Sequence, residues 1–308
     1  MRPVPLVLDT DIGDDIDDLY ALCLAARHPL LDLRAVTTVY GDTQARARLA
    51  AKALRILGRG DVPVGAGISF AKARAARGET PPDFARIESH LSYVTTADPE
   101  YGRAYPDAAG VIGRALAESD ELVALVGIGA ESNLAEFVRG ADEPTRRKIR
   151  CLALMGGETD ENLVEHNIGC DPEAADYLFN CGLPVFLATY SVAKRLVMTM
   201  DEVAAAFGGR VDPVSGMLAE CTALWDPVGR SLGVEKPGPV LYDLVPLFRL
   251  AGEGCIEVRR SAITVLLGDG EAGRRGTTVR SGEGPLLQCT DLDPNALVRR
   301  FIEIVGAV

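Results

Sequence analysis

Short apolar runs alternate along this chain with stretches patterned as helices. The first run, residues 4–8, ends in Asp9-Thr10-Asp11-Ile12-Gly13-Asp14-Asp15-Ile16-Asp17-Asp18, six aspartates in ten residues. Residues 19–27 read as a helix that Asp17 or Asp18 caps and His28-Pro29 stops. Residues 31–40 read as a strand, 43–57 as a helix stopped by Gly58, and 61–65 as a short strand or turn. The rhythm then breaks. Residues 68–107 are rich in Ala, Arg, Pro and Asp and have little periodicity, the pattern of a long excursion, a lid or binding loop whose Tyr93, Tyr101 and Tyr105 offer stacking surface.

Alternation resumes with a helix over 108–119, a strand over 121–126, a helix from 134 and a strand over 149–155. Asp171-Pro172 opens a helix that ends at Gly182, and 184–188 is the next strand. Helices are expected over 201–207, 214–225 and 242–250. Strands at 256–267 and 277–280 form a hairpin around Gly268–Gly270, and Asp293-Pro294 starts a closing helix. This order predicts an α/β fold: a single open, mostly parallel sheet with helices on both faces, extra C-terminal helices and a β-hairpin. With no repeat, linker or low-complexity tract, residues 1–308 are expected to form one domain.

Composition narrows the function. A net charge of -12 with no basic patch argues against nucleic acid or an anionic membrane as partner. The seven cysteines include no CxxC pair, which suits buried reduced thiols. Neither a secretion signal nor a run of about 18 apolar residues is present, so a cytoplasmic location is expected.

The acids are the candidate chemistry. Two carboxylates about 4 Å apart repel by roughly 4 kcal/mol at an effective dielectric near 20. Either the cluster splays into water or a hard cation gathers it, and oxygen ligands favour calcium or magnesium over zinc. Further polar clusters close predicted strands or open predicted helices: Gly129–Asn133, Asn162–Asn167 and Tyr242-Asp243. Because strand carboxyl ends share one edge of a parallel sheet, these groups are expected to converge with the aspartates.

Taken in order, the clusters resemble the nucleoside hydrolases. Asp9-Thr-Asp11-Ile-Gly13 with Asp17-Asp18 is similar to that family's aspartate motif, and Thr37–Asp42, Gly129–Ala135, Met155–Gly157, Glu165–Asn167 with Asp171–Ala174, and Tyr242-Asp243 follow in the family's order. The resemblance implies calcium-dependent hydrolysis of the N-glycosidic bond of a ribonucleoside to ribose and free base. It also implies a role in nucleoside metabolism such as purine or pyrimidine salvage, and a homo-oligomer, dimer or tetramer. It assigns calcium to Asp11, Asp18, Asp243 and the Ser132 carbonyl. Asp17 becomes the base that activates the attacking water, and it also binds substrate. Asp42, Asn162, Glu165, His166 and Asn167 surround the substrate, with Asp9 and Asp15 bracing the cluster. The aspartate loop is two residues longer than the shorter family form. If that insertion is placed elsewhere, Asp15 takes the part of Asp17 or Asp18. Tyr242 stands at the catalytic position where some members carry a proton-donating His. A phenol with a pKa near 10 is a poor acid there, although it can hydrogen-bond or stack, and His166 is an alternative donor.

The chemistry suits these residues. N-glycoside hydrolysis needs an activated water on one face of the sugar and stabilisation of an oxocarbenium-like transition state. Two other readings stay open. One is a ribosyl-binding or regulatory protein on the same scaffold with little turnover. The other is a phosphatase of the haloacid dehalogenase type, which shares the Asp-Thr-Asp after a strand but needs a Lys not evident here.

Overall fold

The computed structural model describes residues 2–81, 88–231, 238–270 and 273–306. The first third runs β1 (Val4–Thr10), α1 (Asp17–Arg27), β2 (Leu31–Thr38), α2 (Thr43–Ile56), β3 (Val64–Ala66) and α3 (Lys72–Ala76), with one 3-10 turn at Leu91–Tyr93. The middle runs α4 (Ala108–Glu118), β4 (Val123–Gly127), α5 (Ser132–Gly140), α6 (Glu143–Arg146), β5 (Ile149–Met155), α7 (His166–Cys170), α8 (Pro172–Asn180) and β6 (Val185–Ala188). The remainder is α9 (Tyr190–Ala193), α10 (Met200–Phe207), α11 (Pro213–Ser231), α12 (Leu244–Ala251), β7 (Ile256–Val265), β8 (Thr278–Leu292) and α13 (Pro294–Val305).

The eight strands form one sheet in the order β3-β2-β1-β4-β5-β6-β8-β7. All neighbours are parallel except the edge strand β7, which runs antiparallel to β8. This is the open, mostly parallel α/β sheet that the alternation predicts.

Strand periodicity divides the core into two layers. Leu6, Leu8, Ala124, Val126, Ala153, Met155, Phe186 and Ala188 pack on the side of α1, α2 and α10 to α13. Their alternates Val7, Val123, Leu125, Leu152, Leu154, Val185 and Leu187 pack on the side of α4, α5 and α8. Strands buried on both faces read as continuous apolar runs, which is why these were legible. The chain leaves β1 toward β2 and β3, then returns to place β4 on the other side of β1. The β1/β4 boundary is thus a topological switch point, where crossovers diverge and a crevice opens at the strands' carboxyl ends.

Several boundaries differ from the pattern. Ile16, not Asp17 or Asp18, sits at the N-cap of α1 and gives no side-chain cap; both aspartates lie inside the first turn, where negative charge offsets the helix dipole. Helix α11 continues past Trp225 to Ser231, through Pro227. The second hairpin strand begins at Thr278 and runs to Leu292, with register shifts that its Gly282 and Gly284 accommodate, so it extends twelve residues beyond the expected end at Arg280. Of the excursion at 68–107, residues 82–87 lie outside the described residues. Among the described residues, no helix is long and apolar enough to cross a membrane.

Candidate active site

Strand alternation sends the two polar residues that end β1 to opposite faces. Asp9 follows Val7 to the α5 side. Its Oδ1 accepts from Thr37 Oγ1 (2.6 Å) and Asn133 Nδ2 (2.8 Å), while that amide also donates to the Thr38 carbonyl. Asp9 thereby ties β1, β2 and α5 together. Thr10 follows Leu8 to the α1 side and donates to Asp18 Oδ1. The strand end thus fixes one carboxylate of the following helix.

Between them the aspartate loop closes over Arg46, a residue that the sequence pattern did not single out. Its guanidinium is completely buried. It donates Nε to the Tyr40 carbonyl (2.6 Å), Nη1 to the Asp11 and Ile12 carbonyls, and Nη2 to Asp14 Oδ2 (2.8 Å). Tyr40 holds a φ of 62°, a left-handed conformation unusual for a bulky side chain, which turns the end of β2 toward that guanidinium. The excursion supports the loop from the other side. Ser89 donates its N–H to the Gly13 carbonyl (2.8 Å) and its Oγ to the Asp14 carbonyl (2.6 Å). Gly13 has φ 118°, and a Cβ there would collide with Leu91. We expect Gly13→Ala to cost roughly 1–3 kcal/mol through strain and that contact. The check is a lowered melting temperature together with weaker divalent-cation binding by calorimetry.

Asp17, Asp18 and Asp243 form the centre. One carboxylate oxygen from each lies within 4.8 Å of the others, and all three residues are buried. The Asp243 N–H also donates to Asp17 Oδ2 at 3.3 Å. Burial, then mutual repulsion, holds all three carboxyls well above the usual range. Asp9 is pushed up to about 7, and Asp11 and Asp15 to about 6, in each case mainly by burial. Buried oxygen donors that repel one another suit a hard divalent cation, which stabilises all of them in the ionised form. Glu131, unremarked in the sequence, lies completely buried near Asp9 and Glu165, with no hydrogen-bond partner for either carboxylate oxygen among the described residues. Burial first, then these acids, favours its neutral form.

A pH dependence follows. The carboxyls that ionise near 3.8 in the unfolded chain stay protonated to about 6 or 7 in the metal-free fold. Between those values the folded state holds more protons, so stability falls as pH rises. Metal-free protein should melt at progressively lower temperature from pH 4 to pH 7. A divalent cation should raise the melting temperature more at pH 7 than at pH 5, which differential scanning fluorimetry would show.

Asp11, Asp14, Asp15, Asp17, Asp18 and Asp243 line a cavity of about 510 Å³ at the carboxyl edge, together with Glu165, His166, Asn167, Trp225 and Tyr242. Glu165 caps α7, accepting from the N–H groups of Asn167 and Ile168 and from Gly157. Asn167 gives its Nδ2 to the Ile128 and Met155 carbonyls (both 3.1 Å), which holds the amide in one orientation with its Oδ1 as acceptor. Half-exposed His166 places Nε2 3.6 Å from Cys170 Sγ and 4.0 Å from Asp11 Oδ2. The Cys170 sulfur foremost, then Asp11 and Glu165, raise its pKa.

Other expected site residues lie elsewhere. Asp42 is exposed and caps α2 by accepting from the Ala45 N–H (2.9 Å). Asn162 is exposed and does not line the cavity, although Leu163 and Val164 do. Ser132 commits its hydroxyl to Asp171 Oδ2 (2.5 Å), and its side chain does not reach the cavity. The excursion tyrosines are not a stacking surface for this cavity: Tyr93 lies under Lys52 Nζ, Tyr101 is exposed and Tyr105 is buried. The aromatic wall comes instead from Tyr190 at the start of α9, stacked on Tyr242 (centroids 5.7 Å apart, 18° between planes), and from Trp225 on α11. Tyr190 ends an apolar strand, and that position was its one signal in the sequence.

Comparison with known proteins follows the same outline. Residues 6–302 match the profile described as "Inosine-uridine preferring nucleoside hydrolase". The pyrimidine-specific ribonucleoside hydrolase RihA of Enterobacter sp. (strain 638) is 33% identical over 223 residues, covering 70% of this chain and 69% of its own. RihA of Escherichia coli O81 (strain ED1a) is 30% identical over 223 residues, covering 70% of each chain. Among solved structures, the plant nucleoside hydrolase PpNRh1 superposes with a TM-score of 0.83 at 22% identity over 100% of both chains. The purine-preferring ribonucleoside hydrolase from Gardnerella vaginalis gives 0.82 at 20% identity over 98% of both. At those identities the structural likeness concerns the fold.

Proposed function

Because the chain belongs to the inosine-uridine preferring nucleoside hydrolase family, which makes it an N-glycosyl hydrolase of ribonucleosides, we propose the following division of labour in its cavity. The observation that carries the reading is the convergence of Asp17, Asp18 and Asp243 on one point of the cavity that also presents Asn167. Asp11, Asp18 and Asp243, with the Ser132 carbonyl, would hold calcium. When bound, that ion supplies Lewis acidity and a fixed point for the ribose hydroxyls and the attacking water.

The chain's own groups do the rest. Asp17, whose buried carboxyl is ionised beside a cation, takes the proton from the water as it attacks the anomeric carbon. Asn167 accepts from a ribose hydroxyl through its free Oδ1, and Glu165, held by three N–H groups, accepts from another. Positive charge develops on the sugar as the glycosidic bond lengthens, and the surrounding carboxylates favour it. Asp9 acts at a distance by fixing strand ends. Tyr242 and Tyr190 offer a face to the base.

The test is incubation of the calcium-loaded protein with uridine, cytidine, inosine and adenosine, with the products separated by chromatography. Equimolar ribose and free base are expected from at least one. Saturable ribonucleoside binding with neither product would instead support a ribosyl-binding protein on this scaffold.

A further inference from the structure

The cavity has an unusual charge balance. Among the described residues, seven carboxyl groups line it, against one imidazole and neither Lys nor Arg. A bound divalent cation, the buried Arg46 and a protonated His166 together carry four positive charges, so acids remain in excess. Beside these acids stand three aromatic rings. Tyr190 and Tyr242 stack in parallel and are half-buried, and Trp225 lines the same cavity. The Tyr242 hydroxyl lies toward that of Tyr190, and the Trp225 indole toward Asp15. His166 directs Nε2 at Cys170 and Asp11, on the aspartate-loop side, and its ring meets Tyr40 edge-on rather than the stacked pair.

A ring site with stacked aromatic π-faces and excess negative charge among the described residues matches one kind of leaving group. We propose that this cavity accepts ribosylated heteroaromatic cations of the N-ribosylpyridinium type, with the charged ring against the Tyr190–Tyr242 pair. The inference rests on the ribonucleoside hydrolase reading above. A cation over aromatic faces is attracted by their quadrupoles, and carboxylates at the same site add to that attraction. The leaving-group chemistry agrees. When the bond from the anomeric carbon to the ring nitrogen breaks, its electron pair stays on nitrogen and cancels the ring's positive charge. The base leaves neutral and needs no proton. Water supplies the new C–O bond and gives its proton to Asp17, so the sum is ribosylpyridinium plus water yielding ribose, neutral pyridine and one proton. A neutral purine or pyrimidine nucleoside leaves as an anion unless something protonates it.

Trp225 is the only tryptophan in the chain, so its fluorescence reports this site directly. Two measurements test the proposal. First, quenching titrations of the calcium-loaded Asp17→Asn protein compare ribosylpyridinium-3-carboxamide with uridine and inosine. The cation should bind roughly tenfold tighter, and Tyr242→Leu in that background should remove most of the margin. Second, kcat/KM for ribose release by the wild type should favour the cation, and Tyr242→Phe, which keeps the ring and removes the hydroxyl, should preserve the preference. The proposal is overturned if the neutral nucleosides bind as tightly as the cation, or if Tyr242→Leu leaves the cation's margin intact. Absence of ribose from every substrate would count against the hydrolase reading instead, and the quenching comparison would still decide the inference.

Discussion

Asp17→Asn should lower kcat for ribose release by about 10²–10⁴-fold, the usual contribution of a positioned general base. The substitution is nearly isosteric, and the Asp243 N–H that Asp17 Oδ2 accepts can be accepted by the amide oxygen. The fold should therefore survive, with a melting temperature within a few degrees of the wild type. Asp17 lies buried, and beyond what burial does the Asp15 and Asp11 carboxylates raise its pKa while hydrogen bonding from Asp243 opposes them. Removing one charge relieves repulsion, so the metal-free variant should be more stable than the metal-free wild type near pH 7. Loss of turnover with unchanged or improved stability separates a chemical role from a structural one. The check is steady-state kinetics beside thermal melts with and without chelator.

Arg46→Leu should have the largest effect on stability. The guanidinium is buried and makes bonds to three backbone carbonyls and to the partly exposed Asp14. Removing one partner of a buried, hydrogen-bonded ion pair typically costs about 3–5 kcal/mol, because the remaining charge and the carbonyls lose their donors. For a chain of this length that corresponds to a fall of roughly 10 °C in melting temperature. Arg46→Lys should recover only part of the loss, because an ammonium cannot reproduce the planar fork that reaches four acceptors. The same variants should bind divalent cation more weakly, because the carbonyls of Asp11 and Ile12 set the path of the loop between β1 and α1. Urea melts and calorimetric titrations measure the two effects separately.

The parts of this architecture that were legible in the sequence share one cause. Central parallel strands are buried on both faces, so 149–155 and 184–188 appear as apolar runs whatever their neighbours. Residues 171–172 and 293–294 mark helix starts because Asp accepts from the N–H of N3 and Pro needs no partner at N1. What was hidden has equally physical reasons. Helices α6, α7 and α9 have four or five residues, too few for a 3.6-residue period to show. Strand β8 carries Gly282, Gly284 and Pro285, which suggest a loop until the register shifts against β7 are seen. Arg46 sits in an alanine-rich helix where an arginine ordinarily faces water, and its burial depends on Tyr40, Asp11 and Asp14 folding over it.

The site divides along the same line. The acids and the Glu165–Asn167 segment were found because they sit at strand ends on one edge, and topology alone brings those together. Asp42 and Asn162 sit at equivalent-looking turns, but a helix cap and an exposed loop position keep their side chains out of the cavity. Of the aromatic wall only Tyr242 was legible, because Tyr190 and Trp225 come from remote pieces. Trp225 is a core residue that also lines the cavity, and α11 continues past it for another turn and a half. Gly229 makes room for that ring: a Cβ there would lie 2.8 Å from Trp225 Cζ2.

A divalent cation held by Asp18 and Asp243, with Asp17 beside it, is expected to drive cleavage of a ribonucleoside by water. The most direct test follows ribose release from one accepted ribonucleoside in three preparations: chelator-treated wild type, the same protein reloaded with calcium, and calcium-loaded Asp17→Asn. Ribose should appear only after reloading of the wild type, and in water enriched in heavy oxygen the label should be found at the anomeric position. Release that persists after both chelation and Asp17→Asn would contradict the claim.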